Sequence, residues 1–153
     1  MANTSTKLID SNKRVLYSFT SDSAETRTIK IDAGKLNYTL NANGFIDTTG
    51  TDRQSKYSLL LTKAIYSVNG AGLVTVSTNG DAVVNTILQL GGAGTMAFTE
   101  GGQNFVIDCA ASANSTGNVF VGSTGPYTLI LDFNKDRSQY DQGQTAMPTD
   151  FNR

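Results

Sequence analysis

The sequence predicts an all-β domain, folded as an antiparallel sandwich or jelly roll. Its apolar segments alternate apolar and polar residues with a period of two, as half-buried strands do. Turns rich in glycine and asparagine separate these segments at spacings of about ten residues, which favours a sandwich over a parallel α/β sheet. The 153 residues are enough for one domain with a single buried core.

The first predicted strands occupy residues 15–19 and 28–32, and a polar loop joins them. In the second strand, alternation directs Ile29 and Ile31 to the core and Lys30 to water. The next few residues predict a short turn, and a long polar loop follows it.

Residues 57–68 predict a strand, although a helical i, i+4 pattern also fits them, because β-branched and tyrosine residues precede a turn signal. That signal, Asn-Gly-Ala-Gly at residues 69–72, predicts a tight hairpin into residues 73–77. Further strands are predicted in the remaining apolar segments, at residues 82–90, 95–99, 105–109, 119–121 and 127–133.

Three segments are expected: an N-terminal arm (residues 1–14), a β-sandwich domain (residues 15–135) and a polar C-terminal arm (residues 136–153). The C-terminal segment has almost no apolar residues, so burial alone is not expected to order it. It is either a floppy terminus or an extended arm that lies on a neighbouring subunit, anchored by Tyr140, Met147 and Phe151.

The composition argues against an enzyme. The chain has no histidine, so the usual general acid or base near neutral pH and the commonest metal ligand are both missing. Asp108 and Asp132 alternate with apolar neighbours and are expected to point outward, which disfavours a catalytic carboxylate pair. The single cysteine, Cys109, is expected to be a small buried hydrophobe. No catalytic, metal or cofactor site is predicted.

The charge pattern disfavours two classes of partner. Twelve basic and thirteen acidic residues are spread evenly, so no basic stripe is available for nucleic acid. The first seven residues lack the apolar core of a secretory signal, and no apolar stretch is long enough to span a membrane. The chain is therefore expected to be made in the cytoplasm of its host without processing.

Five short segments together resemble a family of small virion structural proteins of tailed bacteriophages. They are residues 2–7, 12–15, 22–33, 65–70 and the closing strand 127–131 with its end at Lys135. The resemblance implies a jelly-roll-like, non-enzymatic protein of the virion, either a capsid decoration (cement) protein or a tail-associated one. Relatives typically end near the position of Lys135, so the segment after it departs from the family.

For a decoration protein, the expected partners are the major capsid protein and copies of the chain itself, as a trimer at the capsid surface. The expected contact residues lie in the two arms: Thr4, Lys7, Arg14, Tyr140, Met147 and Phe151. Two alternatives stay open. One is a tail, neck or fibre component, and the other is a glycan-binding β-sandwich module that stacks sugars on some of its six tyrosines.

Overall fold

The computed structural model describes residues 3–46, 54, 57–79, 84–98, 107–108, 116–136 and 138–141. Within these residues there are ten β-strands and one short 3-10 turn, Ala33–Lys35, which lies in the turn predicted after the second predicted strand. The strands are β1 (Asn3–Asp10), β2 (Arg14–Ser21), β3 (Glu25–Ile31), β4 (Leu59–Val68), β5 (Val74–Asn79), β6 (Val84–Leu90), β7 (Ala93–Ala97), β8 (Ile107–Asp108), β9 (Val119–Ser123) and β10 (Tyr127–Lys135).

The strands form two antiparallel sheets that pack as a sandwich, which confirms the predicted all-β class. The larger sheet has the strand order β1-β2-β10-β4-β7, and β8 also pairs with β4. The smaller sheet has the order β3-β9-β5-β6. None of the described helices could cross a membrane, since the 3-10 turn is only three residues long.

Strand pairing is nested around β5 and β6, which pair with each other. Moving outward along the chain, β4 pairs with β7, β3 with β9, and β2 with β10. Two further ladders, β4 with β10 and β5 with β9, join these pairs into the two sheets. The chain passes from one sheet to the other at most of its turns, so each sheet holds strands that are distant in sequence.

The core lies between the sheets and is built by the predicted alternation. Along β10, Leu129, Leu131 and Phe133 are fully buried, while the residues between them face outward. Burying each such side chain contributes roughly 1.5–3 kcal/mol. The same face continues to Lys135, which is also buried.

The strand prediction for residues 57–68 is confirmed, but the predicted hairpin into residues 73–77 is wrong. The two strands belong to different sheets, and the segment between them is a corner of the sandwich. The Asn69 N–H donates to the Pro126 carbonyl at 3.0 Å, and the Thr124 N–H donates to the Leu73 carbonyl at 2.9 Å. A glycine-rich turn permits either a hairpin or a corner. Here residues 69–73 form a corner, because they are hydrogen-bonded to the connection between β9 and β10.

The predicted orientation of Ile29 and Lys30 is also wrong. Ile31 is buried, but Ile29 is 44% exposed, and the β3–β9 register shifts between these two residues. An extra residue in a strand resets the alternation of side chains beyond it. Lys30 therefore turns to the Glu25 carboxylate, 2.5 Å away, instead of to water.

Candidate functional site

The expected contact residues of the N-terminal arm lie in the larger sheet. Thr4 and Lys7 are exposed on β1, which pairs with β2 of the same chain, and Lys7 contacts the Asp10 carboxylate at 3.1 Å. Arg14 begins β2 and donates two hydrogen bonds, of 2.9 and 2.8 Å, to the outward-facing Asp132 carboxylate. The first segment of the chain is thus paired within its own domain.

Tyr140, an expected contact residue of the C-terminal arm, lies in the core of its own chain, where its side chain is fully buried. Its hydroxyl donates to the Ala33 carbonyl at 2.6 Å, and its ring packs 5.7 Å from that of Tyr57. A buried phenol needs such a partner for its hydroxyl, and the 3-10 turn provides it. Met147, Phe151 and Cys109 lie outside the described residues.

The chain after β10 returns to the domain instead of leaving it at residue 135. The Asp136 N–H donates to the Ser58 carbonyl at 3.2 Å, and the Gln139 side chain accepts from the Ser58 N–H at 2.9 Å. The Leu40 N–H donates to the Gln139 carbonyl, and the Asp141 N–H donates to the Tyr38 carbonyl. We call residues 136 and 138–141 the C-terminal clasp. These residues follow the expected domain boundary at residue 135 and contact the sandwich domain.

Lys135 is the centre of the contacts that join the end of β1 to the last strand of the larger sheet. Its side chain is fully buried, and its ammonium group lies 2.5 Å from Asp10 Oδ1, 2.6 Å from the Ser11 carbonyl and 2.8 Å from the Asn37 carbonyl. An ammonium group has three N–H donors, so these three acceptors satisfy it. We call Lys135 with Asp10, Ser11 and Asn37 the lysine node.

Asp10 is the anionic partner in the node. Its carboxylate accepts from Lys135, from the Asn37 N–H at 2.9 Å and from Lys7 Nζ. Burial of the carboxyl group raises its pKa, but these hydrogen bonds outweigh burial, and the pKa of Asp10 is lowered from its ordinary value. The side-chain amide of Asn37 also donates to the Asp10 carbonyl at 3.3 Å.

Burial lowers the pKa of Lys135 from its ordinary value, and the hydrogen bond and charge of Asp10 offset part of that effect. The ammonium group is also close to two aromatic rings, 5.1 Å from the centre of Tyr140 and 5.7 Å from that of Tyr38. It therefore stabilises the junction between the β1–β2 turn, the segment after the 3-10 turn and the C-terminal clasp. The sequence marks Lys135 only as the end of the closing strand, although its place in the alternation of β10 indicates burial.

A second buried polar cluster lies in the smaller sheet. The Glu25 carboxylate accepts from Lys30 Nζ and from the Tyr127 hydroxyl, both at 2.5 Å. Burial and the hydrogen bond to Glu25 raise the pKa of Tyr127 well above its ordinary value. This cluster joins β3 to the first residue of β10 and so connects the two sheets.

The charged groups of both clusters are paired within the chain, Lys135 with Asp10 and Lys30 with Glu25. Among the described residues, no group of three histidine, cysteine or acidic side chains could hold a metal ion. The geometry of the two clusters supports a structural role.

Two surface regions carry apolar side chains. On the outer face of the larger sheet, the half-buried Leu16 and Ile130 and the exposed Ile65 lie on the adjacent strands β2, β10 and β4, among serine and threonine residues. At one end of the sandwich, Tyr38, Phe45 and Ile46 are 44%, 71% and 41% exposed. We call residues 37–46 the tip segment.

Tyr38 is unusual in both backbone and exposure. Its φ of +65° is in the left-handed region, which a bulky residue occupies only when its surroundings impose it. Here the Asp141 N–H holds the carbonyl of Tyr38, and Lys135 holds the carbonyl of the preceding residue. The lysine node and the C-terminal clasp thus fix the place where the tip segment begins. Tyr38 is also the most exposed of the six tyrosines.

Comparison with known proteins finds no matching family model, and neither a curated protein nor a solved structure matches the chain.

We predict a strong energetic coupling between Lys135 and Asp10. The variant K135M removes the buried partner of the Asp10 carboxylate, which keeps only the exposed Lys7 ammonium group and the Asn37 N–H, and should lower the free energy of unfolding by about 3–5 kcal/mol. Adding D10N should recover part of this loss, because it removes the buried carboxylate charge. Urea unfolding of the two single variants and the double variant measures the coupling.

The matched control is the cycle of R14M and D132N, whose ion pair is at the surface and should show a coupling below about 1 kcal/mol. Equal coupling energies in the two cycles would show that the lysine node does not hold the domain together.

We also predict that the node weakens in acid. Because the folded pKa of Asp10 is below its unfolded value, its contribution to stability is complete above the unfolded value, near pH 4. That contribution is lost as the pH falls through the folded pKa. Urea unfolding between about pH 6 and pH 2 should show a smaller loss of stability for D10N/K135M than for the unmodified chain. Parallel pH profiles for the two proteins would contradict the assignment.

Proposed function

We propose that the chain is a non-enzymatic structural protein of a tailed-bacteriophage virion, which decorates the assembled capsid as a cement protein. In this proposal its partners are the major capsid protein and further copies of itself, with a trimer as the assembly, and its site of action is the capsid surface. The proposal combines the sequence resemblance with the strand order and with the surface of the domain.

The nested strand order is the observation that carries the proposal. Eight strands, β2–β7, β9 and β10, pair first with last and second with next-to-last around the β5–β6 pair. Rolling such a nested ribbon into two four-stranded sheets gives the orders β2-β10-β4-β7 and β3-β9-β5-β6. We propose on this ground that the sandwich is a jelly roll. Viral capsid domains and lectins use that architecture, so it supports a virion role by analogy of fold.

The surface supports binding rather than catalysis. The tip segment presents Phe45 at 71% exposure beside Ile46 and Tyr38. Exposed large apolar side chains that cluster on a soluble domain are typical of interaction sites. The lysine node holds the start of this segment in place, so a partner that docks there meets a pre-formed surface and loses less conformational entropy on binding.

The test is the number and position of copies on purified virions of the phage whose genome encodes the chain. Cryo-electron microscopy of intact particles should show several hundred copies on the capsid shell, with none on the tail. A few copies at the tail or neck would replace the decoration proposal by its tail-associated alternative, and complete absence from the particle would overturn both.

We predict that the purified chain rebinds to shells stripped of it and that the variant F45S binds at least tenfold more weakly. Phe45 is mostly exposed, so its loss should leave the thermal transition within about 2 °C of the unmodified chain, given a stability change under about 0.5 kcal/mol. Co-sedimentation with shells measures binding. The matched control, T128S, changes an exposed residue on the outer face of β10 and should bind normally. Equal binding by F45S would remove the tip segment from the interface.

The second candidate function is glycan binding, which the exposed ring of Tyr38 favours. Sugar rings stack on exposed aromatic faces, and lectins share the proposed architecture. Titration of the chain with host surface polysaccharide, followed by tyrosine fluorescence, separates the candidates. Saturable binding that Y38A abolishes and Y17F retains would favour a glycan-binding module. A flat titration with retained shell binding would favour decoration.

A further inference from the structure

Strand β1 forms one edge of the larger sheet. Among the described strands it pairs with β2 alone, and residues 3–8 are all exposed. An edge strand presents a row of backbone N–H and C=O groups that another strand can pair with. The regular part of this edge is residues 3–7, because the β1–β2 register shifts between Lys7 and Ile9.

The core-facing side of β1 is also open. Asn3, Ser5 and Lys7 lie opposite the part-buried or buried residues Ser21, Phe19 and Tyr17, yet all three are exposed. The smaller sheet has four strands, against five along the larger one, and residues 3–8 of β1 are exposed. A further strand could therefore join the edge without displacing any of the described strands.

We propose that β1 pairs with β1 of a second copy of this chain, antiparallel and related by a twofold axis. Residues directly opposite in an antiparallel ladder either both form the inter-strand hydrogen bonds or both do not. A strand that pairs with itself must then have its axis through a residue, not between two residues. Among the residues through which the twofold axis could pass, only Ser5 lets all five residues of the regular edge pair with the other copy.

The Ser5-centred register matches the chemistry of these residues. It places Thr4 opposite Thr6, and cross-strand threonine pairs are favourable. It places each Lys7 opposite the neutral Asn3 of the other copy. The two lysines are then four residues apart along the ladder, about 14 Å, which is beyond the screening length in physiological salt. No like charges oppose each other in this register.

The composition of residues 3–7 also indicates which strand would pair with this edge. Residues 3–7 contain neither an apolar side chain nor an acidic one, so nothing in them selects an apolar or basic peptide. Their self-complementary order, polar and nearly symmetric about Ser5, fits a second copy instead. A five-residue ladder buries less surface than the roughly 1,200 Å² or more of a stable interface, so the proposed dimer is weak in dilute solution.

The pairing becomes effective where copies are held close together, as on a shell, and this biological role rests on the proposed function. The contact is twofold, so it would join copies that belong to neighbouring trimers and would not build the trimer. The pairing itself is a property of the free chain and is tested there.

The test uses two double variants that differ only in the sign of one charge. Thr4 and Thr6 are exposed on the side of β1 that faces away from the core, so substitution there should leave the fold intact. In the proposed register T4K/T6K opposes lysine to lysine at both pairs, whereas T4K/T6E opposes lysine to glutamate. Sedimentation across a concentration series should show dimers for the unmodified chain and for T4K/T6E, and roughly tenfold weaker association for T4K/T6K.

A disulfide reports the register directly. The variant S5C places two cysteines opposite each other, within the Cα separation of about 4.5–5.5 Å of facing residues, which suits a disulfide. It should form covalent dimers under mild oxidation faster than the matched variant T20C, which puts a cysteine on the outer face of the neighbouring strand. The unmodified chain, with Cys109, gives the background.

Three results would overturn the proposal: no dimer at any concentration, equal association of T4K/T6K and T4K/T6E, or equal cross-linking of S5C and T20C. If β1 does not pair but the chain still binds shells, the β1 contact is excluded and the proposed function is not affected. If β1 pairs but the chain does not bind shells, the β1 contact is supported and its proposed role on the shell is excluded.

Discussion

The fold depends on the buried ammonium group of Lys135 and on the groups that surround it. A lysine side chain removed from water loses much of its hydration, and the loss is tolerable only when hydrogen-bond acceptors and an opposite charge replace the water. Asp10 supplies the charge, and the Ser11 and Asn37 carbonyls complete the set of acceptors. Because these three residues come from the β1–β2 turn and from the segment after the 3-10 turn, one interaction ties distant parts of the chain to the last strand.

The lysine node also positions two other parts of the chain, the end of β1 and the C-terminal clasp. The lysine node fixes the end of β1, and the C-terminal clasp beyond it seals the core by burying Tyr140 against the 3-10 turn. The same contacts impose the left-handed backbone of Tyr38 and so set the direction of the exposed tip segment. The surface that we propose for shell binding is therefore connected to the core by hydrogen bonds, while the free edge of β1 is held in place by its ladder with β2. Stability and the presentation of the tip segment therefore both depend on the lysine node.

Much of the fold was predictable, since a period of two and turn residues specify strands locally. The alternation along β10 and the strand at residues 57–68 were predicted on this basis. The corner after β4 was not, because the same Asn-Gly turn chemistry serves a hairpin and a corner, and long-range pairing decides between them. The shifted register at Lys30 and the burial of Tyr140 also depend on partners far away in the sequence, Phe120 and Val119 across from β3 and Ala33 beside Tyr140. Of the expected contact residues, Thr4 is exposed on β1, and its proposed role came from the edge geometry, which sequence alone did not reveal.

The lysine node holds the C-terminal clasp and the β1–β2 turn against the core. Native-state hydrogen exchange of the unmodified chain and of K135M, compared amide by amide, tests this role. We expect K135M to speed exchange at the amides of Leu40, Tyr140 and Asp141 far more than at those of β5 and β9, because the contacts of the node open first. Uniform acceleration across all strands, or unchanged protection at the amides of the C-terminal clasp, would show that the node does not have this role.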